Sequence, residues 1–216
     1  MKSIVERLSK LHTTSLSDAL NQRNVMASYI RPLREGSLLI GRAYTVRPAP
    51  GDHTSVVKAL ATAEKGEVLV IDGAGVTEAA YLGEMMSTFG MKRGLAGAVV
   101  DGGIRDSAGV KSLKKFTVFA RSITARSDVE GNLGEVQVPI SCGNVPVHPG
   151  DWIFGDDDGV VVIPAGEIED VIKGAEESEA IDVALRKGAD FMSFLGADKL
   201  LERLEKQRAE KLNRPI

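Results

Sequence analysis

The stretch Ala96-Gly97-Ala98-Val99-Val100-Asp101-Gly102-Gly103-Ile104-Arg105-Asp106 decides how the rest of the chain is read. Its apolar run is too short for a whole helix and does not alternate with polar residues. That predicts a strand buried on both faces. Asp101 closes the run, and the two glycines after it predict a tight turn that lets backbone approach a ligand closely. Arg105 then offers a fork that matches a carboxylate, and Asp106 a hard oxygen donor. Such a loop suits an anionic substrate held beside a divalent cation. A strand–turn–helix connection with solvated charges is the plainer alternative.

On either side the same grammar continues. Glu67-Val68-Leu69-Val70-Ile71-Asp72-Gly73 is a second buried strand ending in a carboxylate and a glycine. After it, residues 74–82 read as a loop or short turn. A helix is then expected from near Gly83 to Gly94, with Lys92 and Arg93 suiting its last turn and Met85, Met86 and Phe89 facing the core. Residues 107–115 predict a helix with Ser107 as a candidate cap, and residues 116–120 the next strand. Strands alternating with helices over short connections indicate a parallel α/β unit. Open parallel sheets place ligands outside the carboxyl ends of their strands, where Asp72, Asp101, Arg105 and Asp106 all fall.

Composition narrows the function classes. The 216 residues suffice for a sizeable core, and 43% hydrophobic with 26% charged content is ordinary for a globular protein. A net charge of −3 gives no electrostatic case for nucleic acid. The single cysteine, Cys142, excludes an intrachain disulfide and a Cys-rich zinc site. The charged, amphipathic start predicts no secretory leader, and no run approaches the roughly 20 apolar residues of a membrane span. A cytoplasmic protein is expected.

Elsewhere the signals are mostly structural. Ile4, Val5, Leu8 and Leu11 predict a short helix. Ser15 or Ser17 caps the next one, with Asp18 expected in its first turn. Residues 37–47 predict a strand. A helix is expected from Asp52-His53-Thr54-Ser55 to about Glu64; His53 beside Asp52 suggests a base or metal ligand, but with no second histidine nearby it is read as a helix cap. From residue 128 onward short strands and turns take over. Asp156-Asp157-Asp158-Gly159 reads as an Asp-rich hairpin and not a calcium loop, because it is too short for an EF-hand. His148 is read as structural. Residues 168–174 and 175–187 predict two amphipathic helices, and Leu200, Leu201 and Leu204 in the tail suggest a frayed helix or an oligomer contact.

Gly83-Glu84-Met85-Met86 pairs naturally with the opening stretch. Seventeen positions separate Glu84 from Asp101, enough for one helix and a returning strand. A parallel crossover delivers that helix start to the sheet edge of the Asp101 loop. Its unpaired amides would attract an anion there, with Arg105 as a second contact.

At these residues the sequence resembles the 4-hydroxy-4-methyl-2-oxoglutarate/4-carboxy-4-hydroxy-2-oxoadipate aldolases, a group that also contains the regulator of ribonuclease activity A proteins. The resemblance runs from Ser17-Asp18-Ala19 through Gly41-Arg42-Ala43-Tyr44-Thr45-Val46, the two motifs above and Pro149-Gly150-Asp151 to residues 156–164. It implies one domain over residues 1–216 with an α/β, phosphohistidine-domain-like swivelling fold. A central parallel or mixed sheet, a β-rich C-terminal half and flanking helices belong to that fold. It implies a class II pyruvate aldolase that also decarboxylates oxaloacetate, using Mg²⁺ or Mn²⁺ and a small 2-oxo acid substrate. Sites would lie between subunits of a homotrimer, often paired into a hexamer, with residues from about 166 to 216 in oligomer contact.

Carried over by position, Asp106 matches the metal ligand and Arg105 the substrate-binding arginine. Gly83, Glu84, Met85 and Met86 match the backbone nest for the pyruvyl carboxylate. Glu84 stands where an acidic residue, often Asp, orders metal-bound water. Glu179, with Glu176 and Glu177 as competitors, matches a glutamate lent by a neighbouring subunit. Asp101 is read as holding the loop. The rival function is a metal-free protein that binds and inhibits an RNA-degrading enzyme, and a third is an aldolase or decarboxylase for another 2-oxo acid.

Overall fold

In the computed structural model the chain runs α1 (Ile4–Leu8), α2 (Thr13–Ala19), β1 (Arg31–Pro32), β2 (Leu39–Arg47), α3 (Thr54–Thr62) and β3 (Val68–Ile71). It continues through β4 (Ala80–Leu82), α4 (Glu84–Arg93), β5 (Gly97–Ile104), α5 (Ser107–Ser112) and β6 (Thr117–Ile123). Then come β7 (Glu135–Val136), β8 (Ile140–Cys142), β9 (Val145–Val147), β10 (Trp152–Asp156), β11 (Gly159–Ile163) and α6 (Ile168–Arg186). The structure describes residues 3–127, 131–188, 190, 196, 199, 201–204 and 206. Two compact units, residues 1–176 and 177–216, divide the chain within α6. The second carries the rest of that helix and a helical segment at residues 201–204. Most of the predicted tail helix lies outside the described residues. No helix among them is long and apolar enough to cross a membrane.

The first unit is built on a nine-stranded mixed sheet of order β1-β6-β5-β3-β2-β10-β11, with β4 beside β5 and β7 beside β2. Strands β2, β3, β5 and β6 run parallel, while β10, β11, β1 and β7 are antiparallel to their neighbours. Arg31 on β1 donates to the carbonyls of Asp157 and Asp158 in the β10–β11 turn, so the two ends of the sheet nearly meet. This is the expected α/β class, with a central mixed sheet and flanking helices.

Alternation along the strands sorts side chains into separate cores. Val68, Val70 and Val99 point to one face with Phe119 and Ile153, and Leu69, Ile71 and Val100 point to the other with Leu60 and Phe116. A third cluster joins Leu8, Leu16 and Phe154 to Ile172 of α6. Each such fully buried side chain contributes roughly 1.5–3 kcal/mol.

Several sequence expectations need correction. The strand of the opening stretch does not stop at Asp101: β5 runs on to Ile104 with all eight positions buried. Gly102 and Gly103 therefore make no turn. They allow close approach, because a Cβ on Gly103 would lie 2.5 Å from the Ala79 carbonyl oxygen and one on Gly102 2.8 Å from the Tyr81 ring. The neighbour that needs this room is β4, which sequence had left as loop. The α5 helix is shorter than expected and is capped by Asp106, not Ser107.

Asp18 lies late in α2 and accepts from Gln22 Nε2 at 2.7 Å, so it is no first-turn acid. The two predicted C-terminal helices are one, because Gly174 sits against Ala19 and the helix continues through it. Met85 is 85% and Phe89 48% exposed, so neither belongs to the core. The Asp-rich hairpin stands as read: β10 and β11 flank the turn, and Asp157 accepts from Gly36 N. His148 is structural too, its N–H donating to Asp151 Oδ2 at 2.8 Å.

Candidate functional site

The carboxyl end of β5 and the amino end of α4 meet at one edge of the sheet. Gly83 is the N-cap residue of α4, and Gly94 closes that helix in the left-handed conformation (φ 82°), as the sequence predicted. Arg105 N donates to the Leu82 carbonyl at 3.0 Å, which fastens the β5–α5 loop to β4. The next residue, Asp106, is also left-handed (φ 54°, ψ 40°). Aspartate tolerates that region better than most residues, but the conformation is still sparsely populated and persists only where its surroundings enforce it. Here it turns the carboxylate toward α4, where Oδ2 accepts from Glu84 N at 3.3 Å.

Beside this contact is a cavity of about 90 Å³ lined by Gly83, Met85, Met86, Arg105, Asp106 and His53, among others. Glycine at position 83 is required by space. A Cβ there would lie 2.8 Å from Asp106 Oδ2 and 3.1 Å from Arg105 Cγ. The first-turn amides of Met85 and Met86 have no partner within the helix, as at any helix start. They add positive potential beside the Arg105 guanidinium.

Arg105 Nε and Asp106 Oδ2 are 3.5 Å apart, and both side chains are nearly half exposed. The pair is loose and open enough to accept a ligand. Asp106 Oδ1 receives no hydrogen bond from the described residues. A single open carboxylate suits a hydrated Mg²⁺ or Mn²⁺, which keeps most of its waters. Among the described residues no three His, Cys, Asp or Glu gather into a ligand cluster, so an all-protein cage is not what these residues form.

Of the residues singled out in the sequence, Gly83, Met85, Met86, Arg105 and Asp106 share the cavity wall. Glu84 stands next to it, with its carboxylate folded over Gly109 of α5. Asp101 is elsewhere. It is buried, accepts from Arg121 Nε at 2.5 Å and from Gly143 N at 2.7 Å, and so ties β5 to β6 and to the β8–β9 turn. Arg121 in turn stacks on Tyr29 at 3.7 Å. Asp72 is likewise spent on the backbone, accepting from Ala74 N and Ser141 N. Of the three C-terminal glutamates, Glu176 accepts from Arg7 through both oxygens, at 2.9 and 2.8 Å.

His53 was read as a helix cap, and it does occupy that position in α3, without a side-chain capping bond. It also lines the cavity, with Ser127. Its backbone is set by Asp52, a buried carboxylate accepting from Thr54 N and Asn132 N at 2.7 Å each. Hydrogen bonds, the Thr54 side chain's foremost, hold the Asp52 pKa down to about 2. The Cys142 thiol is buried near the Ile71 carbonyl, away from the residues that line the cavity, and burial pushes its pKa up, which keeps it protonated.

The chain is similar to known proteins along most of its length. A Halalkalibacterium halodurans protein named "Putative 4-hydroxy-4-methyl-2-oxoglutarate aldolase" is 41% identical over 180 residues, 83% of this chain and 85% of its own length. The solved structure of Streptomyces coelicolor RraAS2, titled an unusual member of the RNase ES inhibitor RraA protein family, superposes with a TM-score of 0.77 at 26% identity. It covers 85% of this chain and 95% of its own. The RNA-processing inhibitor RraA of Thermus thermophilis gives 0.65 at 28%, over 76% and 94%. The family model described as Aldolase/RraA matches residues 13–162, and the chain belongs to the RraA-like family.

Proposed function

We propose that the protein is a class II pyruvate aldolase, dependent on Mg²⁺ or Mn²⁺. Its substrate would be 4-hydroxy-4-methyl-2-oxoglutarate or a related 4-hydroxy-2-oxo acid, and it would also decarboxylate oxaloacetate. The observation that carries this reading is the meeting of Arg105, the open Asp106 carboxylate and the start of α4 around one small cavity. The name of the Halalkalibacterium halodurans relative supports it.

In this reading Arg105 binds the substrate's carboxylate, assisted by the amides of Met85 and Met86. Asp106 holds the cation. When bound, the cation supplies Lewis-acid stabilisation for the negative charge that develops on the 2-oxo group. Arg105, already paired with the carboxylate, compensates the same growing enolate charge. Glu84 orders the water that takes the proton from the substrate's 4-hydroxyl and later returns one to pyruvate. Loss of CO₂ from oxaloacetate passes through the same enolate, so one set of residues serves both reactions.

The exposure of Met85 at the cavity and of Phe89 one turn on supports a site completed by a neighbouring subunit in a trimer or hexamer. Glu179 is the residue we assign to reach across. The test is pyruvate release from oxaloacetate and from 4-hydroxy-4-methyl-2-oxoglutarate, with and without EDTA. The titles of the two RraA structures favour one other reading, a regulator that binds an RNA-degrading enzyme. Absence of metal-dependent turnover on both substrates would reject the assigned substrates and favour that regulator or an enzyme for a different 2-oxo acid.

A further inference from the structure

Gly109, in the first turn of α5, has no backbone reason to be glycine. It lies within the helix and outside the left-handed region, where alanine is the better residue. Its environment supplies a reason. A Cβ built at Gly109 would lie 2.1 Å from Glu84 Oε2, 2.2 Å from Cδ and 2.8 Å from Cγ. The Glu84 carboxylate therefore rests in the space a side chain would fill. Glu84 is held at both ends by the same short segment: its N–H donates to Asp106 Oδ2 at 3.3 Å, and its carboxylate lies on Gly109 three residues further on.

We infer that Gly109 is a positioning residue, which seats the Glu84 carboxylate against the start of α5 beside the cation-binding Asp106. The two form a matched pair: a side chain that extends beyond Cβ at position 84 requires the missing side chain at position 109, whereas an alanine at 84 would leave that space empty. This rests on the reading of the site as one that holds a divalent cation and a 2-oxo acid. A methyl group at position 109 displaces the Glu84 side chain from Cγ outward and meets no backbone among its nearest atoms, so the fold tolerates it while the carboxylate loses its seat. Stability and function consequently move apart.

The test compares wild type, Gly109→Ala, Glu84→Ala and the double variant as intact proteins. Mn²⁺ affinity is read by electron paramagnetic resonance titration, alongside thermal unfolding and oxaloacetate turnover. Gly109→Ala is expected to keep or raise Tm, to weaken Mn²⁺ binding and lower kcat about tenfold each, and to leave KM within about twofold. In the Glu84→Ala background the same substitution is expected to change Mn²⁺ affinity and kcat by less than about twofold. Wild-type affinity and kcat in Gly109→Ala would overturn the pairing, as would an equal loss in both backgrounds or a fall in Tm. If the wild type binds Mn²⁺ but releases no pyruvate, the aldolase reading fails, and the titrations alone still decide the pair by the same criteria. A wild type that binds no Mn²⁺ overturns both.

Discussion

Two Arg–Asp pairs have their aspartates on or just after β5, and they have opposite characters. Asp101 and Arg121 are 2.5 Å apart, with side chains 8% and 23% exposed, and Asp101 also accepts a backbone N–H. Arg105 and Asp106 are 3.5 Å apart with side chains 45% and 47% exposed, and the aspartate backbone is left-handed. The same two residue types thus fasten the sheet in one place and remain available to a ligand in the other. What separates them is direction. Within β5, Asp101 points to a neighbouring strand, whereas the loop after Ile104 turns Arg105 and Asp106 out to the edge where α4 begins. Charge in a sequence marks both pairs equally; satisfaction of that charge distinguishes them.

Substitutions can sharpen or break this contrast. Asp106→Ala should cost the largest factor in activity, about 10³-fold in kcat/KM or roughly 4 kcal/mol of transition-state stabilisation, with Tm little changed. Gly83→Ala should cost about 100-fold by pushing Asp106 and Arg105 from their places, again with the fold intact, as steady-state kinetics beside thermal unfolding will report. Arg105→Lys should lose roughly tenfold to a hundredfold, because a point charge cannot reproduce two parallel hydrogen bonds. An unaltered kcat/KM in that variant would contradict the assigned role.

The other pair should respond in stability. Asp101→Ala leaves Arg121 and Gly143 N without their acceptor and should destabilise by about 3 kcal/mol, a Tm loss of roughly 6–12 °C. If instead Asp101→Ala kept its Tm and lost turnover, the division of labour between the pairs would be wrong. The smallest effect concerns Asp52. Its pKa is lowered from 3.8 to about 2, so its contribution is fully present above about 3.8 and is lost as pH falls toward 2. Asp52→Asn should therefore flatten the dependence of Tm on pH across that window.

The parts of the fold legible in the sequence were those with a local cause. Consecutive apolar residues announced β3 and the start of β5, and Gly94 after Lys92 and Arg93 announced the end of α4. The hairpin at Asp156–Gly159 carried its own turn chemistry. The misreadings arose where a distant neighbour decided the outcome. Gly102 and Gly103 looked like a turn because glycine permits one, but they serve a strand, β4, too short to signal itself. Met85 and Phe89 looked like core because they are apolar, yet α4 presents them outward.

The site was legible to the same degree. Arg105, Asp106 and Gly83 were visible as a pair of motifs one crossover apart. His53 was not legible as part of that group: its place beside Asp52 suggested a base or ligand, but only packing carries the start of α3 to that cavity. Nor was Gly109, whose significance is the absence of atoms where Glu84 lies.

The most direct test of the central claim is oxaloacetate-dependent pyruvate release by wild type and Asp106→Ala, each stripped with EDTA and then supplied with Mn²⁺. The account predicts that Mn²⁺ restores turnover in the wild type and leaves Asp106→Ala about 10³-fold lower. Equal restored rates in the two proteins would contradict it.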